Sequence, residues 1–159
     1  MKGNQKLIDV LNDLLADELT AINQYMVHAE MCESWGYEKL HKAIEKQAID
    51  EMHHAEWLIK RVIFLEGIPV VSKLNQIKIG KTVKDMIYND KDAEIGAVKS
   101  YNNSIALARE VSDQATADLL TKILKMEEGH VDWAEVQRDQ IEQMGLENYL
   151  STQTNNITV

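Results

Sequence analysis

A chain of 159 residues, 45% apolar and 27% charged, is long enough to bury one substantial core. Its formal net charge of −9, with no Lys/Arg stripe, argues against nucleic-acid binding, and no apolar run approaches the roughly 20 residues of a membrane span. The single cysteine, Cys32, excludes an internal disulfide and a CxxC metal knuckle.

One proline and seven glycines let helices run long, and the absence of alternating β-branched runs argues against a sheet. The opening "MKGNQKLIDVLNDLL" carries charges through its apolar positions. It reads as an amphipathic helix rather than a signal peptide, so a cytoplasmic protein is expected. That first helix is predicted from about Asn4 to about Glu33, with Leu7, Leu11, Leu14, Ile22, Tyr25 and Ala29 on its inward stripe. "SWGY" (34–37) is a turn. The second helix runs from about Glu38 to about Leu65, with Leu40, Ile44, Ala48, Leu58, Val62 and Leu65 inward. A longer connection, 66–81, holds Gly67, Pro69 and Gly80.

The third helix starts near Thr82, where "TVKD" resembles a capping box, and carries Val83, Ile87, Val98, Tyr101 and Ile105 to about Glu110. After "VSDQ" the fourth runs through Leu120, Ile123, Ala134 and Ile141 to about Met144, and Gly145 stops it. "LENYL" forms a short fifth helix. The closing "STQTNNITV" is polar and loose, and its Asn156-Ile-Thr sequon carries no meaning in a cytoplasmic protein. A helix of about 28 residues is roughly 42 Å long. A connection of about 16 residues can stretch roughly 50 Å, enough to cross the whole bundle. The expected fold is therefore all-α: a ferritin-like four-helix bundle of two antiparallel hairpins joined by a long crossover. It occupies 1–145, with the short helix and polar tail at 146–159.

Laying the ionisable residues on these stripes exposes an anomaly. The first stripe passes through Glu18, the second through Gln47, Glu51 and His54, the third through Asp90 and Glu94, and the fourth through Glu127 and His130. Each helix points a glutamate inward near its middle, and two helices add a histidine at i+3 on the same face. Glu18 and Glu94 are 76 residues apart, as are Glu51 and Glu127, His54 and His130, Tyr25 and Tyr101, and Trp57 and Trp133. The chain reads as two copies of one hairpin, E-x6-Y followed by E-x-x-H-x-x-W.

Four buried carboxylates repel one another and are costly to desolvate unless some hold protons. Two divalent cations cancel four negative charges. The donor set of four carboxylates and two imidazoles suits iron or manganese better than zinc or calcium. This arrangement is that of the di-iron and di-manganese bundles. A hydrogen bond from the Tyr25 or Tyr101 phenol to a ligating carboxylate fits the same scheme, and Trp57 and Trp133 are packing or interface residues.

At "AINQY", "IDEMHHAE", "FLEGIP" and "EEGHVDW" the sequence closely resembles the bacterioferritins, the haem-containing branch of the ferritins, from Met1 to about Leu150. The resemblance implies a ferroxidase centre at Glu18, Glu51, His54, Glu94, Glu127 and His130. Glu51 and Glu127 would bridge two Fe ions, with Glu18 and Glu94 each terminal on one. It further implies Fe(II) oxidation by O2 or H2O2 and storage of ferric mineral in a hollow shell of twenty-four copies built from twofold dimers. A small ferredoxin-like donor would supply electrons for iron release.

The family also shares a b-type haem between two subunits, with one methionine from each as axial ligand. The matching residue is Met52, which lies about 100° around its helix from Glu51 and so faces a flank. Position 46 is Lys46 where bacterioferritins often carry a histidine, so an accessory inner-surface iron site with Asp50 is not assigned. An acidic shell would gather Fe(II).

Three other readings compete. A rubrerythrin-like di-metal peroxidase would append a rubredoxin module with two CxxC pairs, which one cysteine cannot supply. A DNA-protecting mini-ferritin places its ligands between subunits. A purely structural bundle leaves the inward glutamates unexplained.

Overall fold

The computed structural model describes residues 1–155 of the chain; the Asn156-Ile-Thr triplet and the rest of the tail lie outside the described residues. Five helices follow in order: α1 (Gln5–Ser34), α2 (Glu38–Phe64), α3 (Val83–Glu110), α4 (Gln114–Met144) and α5 (Leu146–Thr152). Among the described residues there is no strand, and no helix is long and apolar enough to cross a membrane.

Three of the four long helices begin on a side-chain cap. The Asn4 carbonyl oxygen accepts from Leu7 N–H at 3.2 Å, the Thr82 hydroxyl from Asp85 N–H at 3.1 Å, and the Asp113 carboxylate from Thr116 N–H at 3.0 Å. Each satisfies an amide that the first helical turn leaves free. After α1, Gly36 adopts a φ of +82° and Tyr37 N–H returns to the Cys32 carbonyl at 2.9 Å. That reversal needs a residue without a Cβ. Gly145, also at +82°, ends α4 as expected.

The helices pair as α1 with α2 and α3 with α4, and the hairpins close face to face into a four-helix bundle. The interior is two apolar cores. One gathers Leu7, Leu11, Leu15, Leu58, Leu120 and Ile123; the other gathers Tyr25, Ile44, Met86, Ile87, Ile141 and Tyr149. The inward ionisable residues fall between these two sets on every helix. Ile22 and Val98, expected inside, are only half-buried. α5 folds back so that Tyr149 is fully buried and its hydroxyl donates to Gln137 Oε1 at 2.9 Å.

The crossover, 66–81, has no regular structure of its own, and four of its amides are met by side chains of α1. Asn12, Thr20, Gln24 and His28 recur at multiples of four along that helix. They accept from the amides of Val70 (2.9 Å), Asn75 (2.8 Å), Lys78 (2.9 Å) and Gly80 (2.9 Å), respectively. A rail of polar side chains on one helix face thus supplies the acceptors that a strand neighbour would otherwise provide. Because His28 Nε2 accepts from Gly80, its Nδ1–H faces Asp90, at 2.9 and 3.0 Å from the two carboxylate oxygens, and Gln24 Nε2 donates to the same group at 2.7 Å.

Candidate metal centre

Midway along the bundle the structure brings together all six residues that the stripes single out. Glu18, Glu51, Glu94 and Glu127 are each at most 3% exposed, His54 is fully buried and His130 nearly so. Their donor atoms form two interlocking groups: Glu18, Glu51, His54 and Glu127, and Glu51, Glu94, Glu127 and His130. Within each group, one atom from every residue lies within 4.8 Å of all the others. Glu51 and Glu127 belong to both.

The two histidines present the same nitrogen. His54 Nδ1 lies 3.0 Å from Glu51 Oε2, 3.1 Å from Glu127 Oε1 and 3.5 Å from Glu18 Oε2. His130 Nδ1 lies 2.9 Å from Glu51 Oε1, 3.3 Å from Glu127 Oε2 and 3.6 Å from Glu94 Oε1. The central glutamates thus offer one oxygen to each histidine. Yet Glu51 Oε1, both Glu127 oxygens and His130 Nδ1 are buried with no properly directed hydrogen-bond partner. Donor atoms this close together, several of them buried without a hydrogen-bond partner, are what a cation site requires.

Tyrosines cross-brace the outer glutamates between hairpins. The Tyr25 hydroxyl donates to Glu94 Oε1 and the Tyr101 hydroxyl to Glu18 Oε1. Both phenols are pushed well above their ordinary pKa, first by burial and then by the carboxylate each contacts, so they stay donors.

Protonation follows the same symmetry. Burial pushes Glu18 and Glu94 well above the usual carboxylate range, and the Glu51 and Glu127 charges push them further. Burial would also raise Glu51 and Glu127, but the two histidines beside them, with Glu18 next to Glu51 and Glu94 next to Glu127, hold this central pair below that range. Burial alone would lower both histidines. The surrounding carboxylates instead carry His54 up to about 12 and His130 well above its ordinary value. These directions favour neutral Glu18 and Glu94, ionised Glu51 and Glu127 and imidazolium at both histidines, a set whose charges sum to zero.

Two clefts flank the centre. One, of about 280 Å³, reaches all four glutamates and is walled by Tyr25, Gln24 and crossover residues Asn75 and Lys78. The other, of about 430 Å³, opens on the opposite side at His130, Asp50, Met126 and Trp133.

Sequence similarity accords with this geometry. The family model of the ferritin-like domain matches residues 8–144. The chain is 40% identical over 149 residues to a bacterioferritin of Brucella melitensis, covering 94% of this chain and 92% of that one. It is 40% identical over 154 residues to a bacterial ferritin of Synechocystis (96% and 99%), and 38% identical over 152 residues to a bacterioferritin of Streptomyces coelicolor (96% and 91%). The chain belongs to the bacterioferritins, within the ferritin family. Membership brings the general role of the ferritins, storage of iron.

Other expected residues lie away from the centre. Met52 is 51% exposed on the flank of α2, one turn from Ile49, which is 45% exposed. Lys46 is ion-paired with Asp50 at 2.8 Å, so that carboxylate is already engaged. Reading stripes alone misses His28, whose partner Asp90 explains the second acid on the third stripe. The signal was present as the four-residue spacing of Gln24 and His28 beside the apolar stripe.

Proposed function

We propose that this bacterioferritin chain is a ferroxidase. Glu18 and His54 would hold one iron, Glu94 and His130 the other, and Glu51 and Glu127 would bridge them. The observation that carries the reading is the pair of donor groups sharing Glu51 and Glu127, with buried oxygens left unbonded. Fe(II) is the substrate. Two Fe(II) ions would each give one electron, which with two protons reduces O2 to H2O2 or H2O2 to water, and the ferric product would pass to storage.

The chain's own residues supply three things. Glu51 and Glu127 offer charge in place before iron arrives. Glu18, Glu94 and the two histidines surrender protons as cations enter. Tyr25 and Tyr101 keep the outer carboxylates aimed inward through the exchange. The cleft at Asn75 and Lys78 is the approach for ions, since it exposes all four carboxylates.

The reading extends to assembly and haem. Twenty-four chains of 18.1 kDa would form a shell near about 430 kDa in the cytoplasm, built from twofold dimers. Met52, an exposed thioether beside exposed Ile49, is the residue that would hold a b-type haem between two copies of the chain. That haem would supply a one-electron path for iron release from a small ferredoxin-like donor.

Glu127→Ala tests the centre. Fe(II) oxidation followed by absorbance is expected to slow by at least about tenfold while the particle elutes as a shell, since one bridging ligand is lost. Wild-type kinetics in that variant would place the chemistry elsewhere. Elution as a dimer, with no iron retained, would favour a peroxidase of the rubrerythrin type. Met52→Leu is expected to abolish a Soret band.

A further inference from the structure

The two halves of the centre are not equivalent, and the difference lies behind the histidines. Each imidazole turns Nδ1 inward, so its Nε2–H needs an outer acceptor. Behind His130 that acceptor is Asp50, with Oδ2 3.3 Å from Nε2. Behind His54 it is Met126, with Sδ 3.4 Å from Nε2. Asp50 and Met126 stand 76 residues apart, the same offset that relates the ligands, so they are one position in two copies of the hairpin.

The neighbouring lysines show that the substitution has structural consequences. Lys46 bonds Asp50 at 2.8 Å and fixes that carboxylate against His130. Its counterpart at the same offset, Lys122, has no acid one turn on. It lies instead over the Trp57 ring, 3.7 Å from the centroid, on the His54 side. A carboxylate behind a ligating imidazole orients the ring and makes the inner nitrogen a better donor; a thioether is a weak acceptor and does neither well.

We propose that the two metal positions differ in affinity, the Glu94/His130 position binding a divalent cation more tightly than the Glu18/His54 position, with Asp50 as its positioning residue. This rests on the di-metal reading of the centre. It assigns an order of filling: the first ion settles beside His130 and the second beside His54.

Single-position variants of the full chain, stripped of metal and titrated with Co(II), separate the two sites, and the Co(II) absorption bands report coordination directly. His54→Ala leaves only the His130 position and His130→Ala only the His54 position. His54→Ala is expected to bind Co(II) at least about tenfold more tightly. Adding Asp50→Asn to His54→Ala should weaken binding by a similar factor, and adding Met126→Asp to His130→Ala should strengthen it. Equal affinities in the two single variants, or a tighter site in His130→Ala, overturn the proposal while leaving the centre intact. Failure of the unmutated protein to bind Co(II) at all overturns the di-metal reading and the proposal with it.

Discussion

Loading the centre with metal should expel protons in a fixed number. Burial and the Glu51 and Glu127 charges push Glu18 and Glu94 toward the protonated form, and the surrounding carboxylates push His54 and His130 toward imidazolium. A cation at each position needs those carboxyls ionised and each Nδ1 bare. Two cations therefore displace about four protons, one from each of these residues, and the centre passes from neutral to neutral as two double charges replace four single ones. The assay adds two equivalents of Co(II) per chain at pH 7 in a weakly buffered indicator dye. About four protons are expected per chain, falling to about three in Glu18→Gln, which cannot release that one. At about two protons per cation, apparent affinity should change by about a hundredfold per pH unit, weakening toward acid. Release of one proton or fewer per chain would mean that the carboxyls are ionised before metal arrives, and would refute the charge balance drawn from their burial.

Three further outcomes follow from the same geometry. Asp90→Ala strands two buried donors, His28 Nδ1 and Gln24 Nε2, at about 1–3 kcal/mol each, and should lower Tm by about 4–24 °C in calorimetry. Glycine-to-alanine changes should split in sign. At Gly80 the new Cβ would sit 2.4 Å from Met86 N and 2.8 Å from Asp85 C, destabilising the fold by about 1–3 kcal/mol, whereas at Gly96 it meets nothing within 4 Å and should stabilise α3 by about 0.5–1 kcal/mol. Finally, His54, raised from 6.5 to about 12, binds more protons folded than unfolded above about pH 6.5, and His130 behaves alike. The metal-free protein should therefore lose stability from about pH 6.5 upward in denaturant titrations, and also in acid as Glu51 and Glu127 are protonated. Stability that rises between pH 6.5 and 9 would contradict this.

How much of this was legible in the sequence differs from residue to residue. The helix ends were, because Asn4, Thr82, Asp113 and Gly145 act within their own turn. The six inward donors were too, because their period matches the apolar stripe and because the hairpin is written twice. The course of the crossover was not: four of its amides meet Asn12, Thr20, Gln24 and His28, and nothing in 66–81 marks which amide meets which side chain. Nor did the stripe explain Asp90, whose partner lies 62 residues away on another helix. Local spacing reports which face a residue takes; it is silent on pairings that only the closed bundle creates.

The duplicated hairpin also leads to the expectation that the fold survives removal of metal. A site that needed its cations for charge balance would unfold when emptied, as small zinc domains do. Here the protons on Glu18, Glu94, His54 and His130 stand in for the cations, and the phenols of Tyr25 and Tyr101 keep the outer carboxyls hydrogen-bonded. Apolar cores on both sides hold the four helices apart from any metal, with Leu7, Leu11 and Leu58 fully buried on one side and Met86, Ile87 and Tyr149 on the other. Removing and restoring metal would then exchange protons for cations within a preformed cage.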